Sequence, residues 1–85
     1  MKTDLQNIPG VGRKTEEDLI ALGYTTIDSL KGQNPEEIYQ RDCVRRGFVI
    51  DRCQLYVYRC AVYFAETKYP DPEKCKWWYW KDGAE

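Results

Sequence analysis

The residues best suited to chemistry are Gly10, Val11, Gly12, Arg13 and Lys14, within the stretch Ile8-Pro9-Gly10-Val11-Gly12-Arg13-Lys14. Two glycines flank one aliphatic residue, and two cations follow where a helix should open. Glycine permits a left-handed turn and close approach of backbone to a partner, while a helix start carries unpaired N–H donors and partial positive charge. Phosphate is the natural ligand of such a site. Leu5, Ile8, Val11, Leu19 and Leu22 would hold the turn between two short helices.

Other reactive groups are less promising. Cysteines stand at 43, 53, 60 and 75, with no Cys-x-x-Cys pair. Cys53 and Cys60 are seven apart and stack on one helical face, with Cys43 near across a connection, so three or four thiolates could hold zinc or an iron–sulfur cluster. Yet two helical turns separate such ligands by about 10 Å along the axis, long for a mononuclear site. We therefore read Cys43, Cys53, Cys60 and Cys75 as free thiols, some buried as small hydrophobes, and expect no metal and no cofactor. Histidine is absent, which removes Ser-His-Asp and Cys-His catalysis and histidine metal ligation. Glu16, Glu17 and Asp18, like Glu36 and Glu37, fall where helix starts favour acids, and no paired-acid cleft can be inferred. The expectation is a protein that is not an enzyme.

The tail sets Trp77, Trp78, Tyr79 and Trp80 among Lys74, Lys76 and Lys81. One reading is a stacking platform for single-stranded bases or a partner surface. The other, which we prefer, is a tail that folds back over a central helix, because four exposed rings would make an unusually large apolar patch on a small monomer. One or two rings would stay accessible.

A chain of 85 residues with 14% aromatic and 32% charged residues bounds the architecture to one small domain with a single modest core. The net charge of −1 gives no long-range pull towards nucleic acid, so any such binding must be local. No apolar run approaches a membrane span, and Met1-Lys2-Thr3-Asp4 leads into a polar segment, so a soluble, cytoplasmic protein without a membrane partner is expected.

The elements that would position the hairpin follow from local signals. Thr3 or Asp4 can cap a first helix over Leu5 to Ile8, ended by Pro9-Gly10. A second helix should run from Arg13 to Leu22, with Gly23 as its left-handed cap. Thr26 can cap a short helix over Ile27 to Leu30. Asn34, Pro35 and Glu37 form a capping-box start for a helix reaching Arg41 or Cys43, after which Arg45-Arg46-Gly47 makes a basic connection. From Phe48 to Glu66, the spacing of Ile50, Cys53, Val57, Cys60, Ala61 and Phe64 predicts one face of a long helix. Tyr56, Tyr58, Cys60, Val62 and Phe64 also alternate as in a strand, but the stretch is too long for one and holds no Gly or Pro. Pro70-Asp71-Pro72 then turns the tail away.

Leu5-x-x-Ile8-Pro9-Gly10-Val11-Gly12-x-x-Thr15-x-x-x-Leu19-x-x-x-Gly23 resembles the helix-hairpin-helix motif of DNA repair, recombination and replication proteins. That resemblance implies a backbone grip on phosphate that reads no bases. Gly23 through Ile38 is similar to the link towards a second such motif in tandem domains, where this chain offers only Cys43-Val44-Arg45-Arg46-Gly47-Phe48. Arg45, Arg46 and Gly47 are thus candidates for a degenerate second contact, the alternative being ordinary solvated or paired charge. Arg52 and Arg59, seven apart, are read as partners of internal acids. Over its full length the chain resembles the bacterial pathogenicity-locus helix-hairpin-helix family, some members of which carry a mitomycin-resistance label. The hairpin, Asp51-Arg52-Cys53-x-x-Tyr56-Val57-x-Arg59-Cys60-Ala61-Val62-Tyr63-Phe64-Ala65 and Lys76-Trp77-Trp78-x-Trp80-Lys81-Asp82 carry that likeness.

The resulting expectation is an all-α single domain of about five helices. A helix-hairpin-helix (SAM-like) lobe, residues 1–47, would pack on a long helix, 48–66, closed by a Trp-rich tail, 67–85. Its expected role is weak, salt-sensitive, non-sequence-specific DNA binding. The alternatives are a protein-interaction module whose hairpin is only structural, and a cysteine-based metal or redox protein.

Overall fold

Three α-helices and four single 3-10 turns account for the regular structure, with no strand among the described residues. The computed structural model describes residues 3–81, apart from the side chain of Trp77. Asp82 of the closing motif and the Trp77 ring therefore lie outside the described residues. A 3-10 turn, Leu5–Asn7, precedes α1, Arg13–Ala21; a second, Asp28–Leu30, precedes α2, Pro35–Arg46. Helix α3 spans Arg52–Glu66, and the tail adds turns at Pro72–Cys75 and Trp77–Trp80. The sequence reading counts about five helices; two of those are single three-residue 3-10 turns, too short to make the i to i−4 bonds that define an α-helix.

Local chemistry accounts for most boundaries. Helix α1 ends with the Gly23 N–H donating to the Ile20 carbonyl at 3.0 Å and the Tyr24 N–H to the Leu19 carbonyl at 2.9 Å, a Schellman closure that uses the positive φ of Gly23, 99°. Asn34 caps α2 by accepting from the Glu36 N–H at 2.9 Å, with Pro35 at the first helical position. Asp51 caps α3 by accepting from the Cys53 N–H at 2.8 Å.

Two boundaries move relative to the sequence reading. Helix α2 does not stop at Arg41 or Cys43 but continues to Arg46, where Gly47 turns left-handed at φ 80°. Arg45 and Arg46 are its last turn, a place that suits cations. Helix α3 starts at Arg52, not Phe48, because the chain bends at Phe48 and stays non-helical through Asp51, with Ile50 in the core, where its carbonyl accepts the Tyr39 hydroxyl.

One hydrophobic cluster joins the N-terminal segment and all three helices, through Leu5, Ile8, Leu19, Ile38 and Leu55. The inner row of α3 is Leu55, Tyr58, Cys60, Ala61, Val62 and Ala65; of the predicted row, Ile50, Cys60 and Ala61 are buried, and Cys53, Val57 and Phe64 are not. Cys53 is exposed in the first turn, and Val57 and Phe64 are half-buried. The difference arises because α3 is covered on two sides, by α2 and by the folded-back tail, so its buried surface exceeds one stripe. Among the described residues, no helix is long and apolar enough to cross a membrane.

Candidate functional site

The hairpin closes through the Val11 N–H, which donates to the Ile8 carbonyl at 3.1 Å, with Gly10 at φ 88°. An L side chain at Gly10 would be strained, so this glycine is required by the turn itself. Gly12 differs: it is the N-cap of α1 at φ −94°, and an added Cβ would meet no atom within 4 Å. Neither backbone conformation nor internal packing demands glycine there.

The first helical bond of α1 runs from the Glu16 N–H to the Gly12 carbonyl at 2.9 Å, so the N–H groups of Arg13, Lys14 and Thr15 have no carbonyl four residues back. Gly12 offers no side-chain cap, whereas Asn34 and Asp51 cap α2 and α3. The start of α1 can therefore receive an anion. Arg13 and Lys14 are exposed beside it, Arg13 in a loose 3.5 Å pair with Glu17 that solvent weakens. Glu16 turns the other way, accepting from Thr3 Oγ1 at 2.5 Å and Gln6 Nε2 at 2.9 Å. Those two bonds hold its carboxyl below the ordinary range and tie the N-terminal segment to α1.

Arg45 and Arg46 are brought together with two acids, Asp18 of α1 and Asp42 of α2. Arg45 Nη2 lies 2.9 Å from Asp18 Oδ1 and 2.8 Å from Asp42 Oδ1. Arg46 pairs with Asp18 and reaches Asp42 Oδ1 at 3.2 Å through Nε. Asp42 is fully buried and also accepts from the Tyr58 hydroxyl at 2.7 Å, while Gln54 Nε2 donates to that same hydroxyl at 3.0 Å. Burial, then Asp42 and Asp18, pushes the Tyr58 phenol well above its usual range, so it stays a donor. Burial works against the Arg46 charge, but Asp18 and Asp42 outweigh it and hold the guanidinium above its ordinary value. The cluster is a neutral-sum staple of α1, α2 and α3. The sequence reading missed it; the available signal was Asp42 three and four residues before the two arginines. Gly47 stands next to it as the α2 cap.

The tail folds back on α3. Trp80 packs on Tyr63 with ring centroids 5.2 Å apart and donates from Nε1 to the Lys74 carbonyl at 2.7 Å. Arg59 donates to the Trp80 carbonyl at 2.8 Å and grips Glu36 at 3.1 and 3.2 Å. Trp78 remains 50% exposed, with Lys76 Nζ 5.8 Å from its ring centre. Cys60 is buried against the carbonyls of Cys75 at 3.3 Å, Lys74 at 3.7 Å and Pro9 at 3.8 Å. Burial, with a smaller contribution from Cys75, pushes its thiol up to about 11. Cys43 and Cys75 are half-buried and Cys53 is exposed, and among the described residues no three metal-ligating side chains form a metal-binding group.

Comparison with curated proteins and with solved structures gave no match. The family model described as Cdd1, pathogenicity locus, matches residues 1–85. The match spans hairpin, helices and tail alike, and the chain belongs to the Cdd1 pathogenicity-locus family.

Proposed function

We propose that this chain is a small, non-enzymatic helix-hairpin-helix protein that binds DNA weakly and without sequence preference, through backbone phosphates held at Gly10, Val11, Gly12, Arg13 and Lys14. The observation that carries this reading is Gly12: the fold does not require a glycine there, and its absent side chain leaves the start of α1 open to close approach. Exposed Arg13 and Lys14 supply charge beside the N–H donors. Arg45 and Arg46 already have Asp18 and Asp42 as counter-charges, which favours one grip over two. A single grip gives a short footprint and few released counterions.

The test is titration of unrelated duplexes of equal length at two salt concentrations. The reading expects similar affinity for each sequence, a fall as salt rises, and loss in Gly12→Ala/Arg13→Ala. Duplex binding that survives this double substitution would overturn it.

A second reading, a protein-interaction module, is favoured by one feature. Val44, an exposed apolar residue of α2, lines a groove of about 520 Å³ with Ala21, Leu22, Gln40, Arg41 and Arg45, and Phe48 and Val49 just after α2 are also exposed. A partner seated there would bind with little salt dependence and would be lost in Val44→Ser, which should leave DNA binding intact.

A further inference from the structure

The hairpin and the Trp-rich tail lie more than sixty residues apart in sequence, yet one atom of α3 touches both. Cys60 Sγ sits 3.8 Å from the Pro9 carbonyl and 3.3 Å from that of Cys75, so those carbonyls lie within the sum of these distances of each other. Between the two segments is a slot of about 420 Å³ lined by Pro9, Phe64, Pro70, Pro72, Cys75 and Lys76. It is open to solvent, and three prolines and Phe64 make up most of its lining. Lys76 is part of its lining, and the Lys76 ammonium lies over the half-exposed ring of Trp78.

From this juxtaposition we infer that the protein takes an unpaired stretch of nucleic acid, one base stacking on Trp78 and its neighbour lying against the proline-lined slot, while a phosphate of the same stretch sits at the start of α1. This rests on the phosphate grip proposed above and names the form of nucleic acid it serves. Three properties select the occupant. The slot is open and mainly apolar, so an apolar-faced group such as a base can lie against its prolines and Phe64. Lys76 lines it, and the exposed Arg13 and Lys14 follow the lining residue Pro9 by four and five residues, on a chain whose net charge is −1. Two acids temper the rim of the slot: Glu73, 3.5 Å from Lys76, and Asp71, which stands between Pro70 and Pro72 and acts on Cys75. A paired base cannot leave its stack to enter the slot without a cost of unpairing, so a duplex would use the grip alone.

The test titrates the whole protein with oligothymidylate, a blunt duplex and an abasic phosphodiester chain, all carrying equal numbers of phosphates, at low salt. Oligothymidylate should bind best and quench tryptophan emission. Trp78→Ala should cost roughly ten-fold or more for oligothymidylate, as loss of a stacked base does, and leave duplex and abasic binding unchanged. Trp78→Phe should restore most of the loss. Lys76→Glu should weaken oligothymidylate more than duplex. Equal affinity for abasic and base-bearing strands, or no effect of Trp78→Ala, would overturn the base slot while leaving the phosphate grip standing. Unchanged binding of all three ligands in Gly12→Ala/Arg13→Ala would overturn the grip itself. Binding of an acidic aromatic peptide with none to oligothymidylate would assign the slot to protein and end the inference.

Discussion

The Tyr58 hydroxyl donates to the carboxylate of Asp42 at 2.7 Å in a site closed to solvent, joining α3 to the inner side of α2. The same carboxylate takes the guanidinium groups of Arg45 and Arg46, which also hold Asp18 of α1. A carboxylate so buried is stable only with every partner in place.

Tyr58→Phe removes one charge-assisted bond and should cost about 1–3 kcal/mol. Asp42→Ala leaves two guanidinium groups short of their shared acceptor and should cost about 3–5 kcal/mol. Urea denaturation with unchanged slope measures both. Losses of the same small size in the two variants would mean the network adds little to stability.

The Glu16 carboxylate is held below its ordinary value of 4.5 by Thr3 and Gln6. A lowered folded-state value means that this group stabilises the fold above the unfolded value and loses that effect as pH falls through the folded one. Thermal stability should therefore drop below about pH 4.5, and Glu16→Gln should reduce the drop. Asp51, also lowered by its bond from the Cys53 N–H, acts in the same acid range, so some drop should persist in the variant. Melting curves across acid pH decide this; parallel curves for the two proteins would contradict the Glu16 clamp.

Two glycines are held in left-handed backbone, Gly10 at φ 88° and Gly47 at φ 80°. Alanine at either should cost about 1 kcal/mol or more, and lower the melting temperature by several degrees. Gly12→Ala, at φ −94° with open space around it, should cost less, up to about 1 kcal/mol as a poorer N-cap, yet weaken DNA binding. Stability and affinity should thus separate between Gly10 or Gly47 and Gly12 when each variant is melted and titrated.

The four thiols should label in order of access. Cys53 is exposed, Cys43 and Cys75 half-buried and Cys60 buried with its thiol pushed up to about 11. Alkylation at mildly alkaline pH, followed by mass spectrometry, should modify Cys53 first and Cys60 only under denaturing conditions, since the thiolate is the reacting form. Early labelling of Cys60 would show that the tail does not stay closed over α3.

Local signals made much of this fold legible. Asn34-Pro35 announced α2, Gly23 announced the end of α1, and Pro9-Gly10 announced the turn, because each acts on backbone groups within four residues. The two early helices shrank to single turns because three residues cannot sustain an α-helical bond pattern. Arg45 and Arg46 read as a candidate second contact, with solvated or paired charge as the alternative, since Asp18 lies far away in sequence and only folding brings it to them. Cys53 read as an inner residue because periodicity finds a face without knowing how many neighbours will cover it.

The sequence by itself determined the helical class, the hairpin turn and the family, all of which depend on residue types at short fixed spacings. The tertiary structure alone decided which charges are consumed internally and which remain outside, and it brought Pro9 beside the tail across the buried Cys60. Packing sets both, since an ion pair or a shared slot depends on distances between elements that no local spacing encodes.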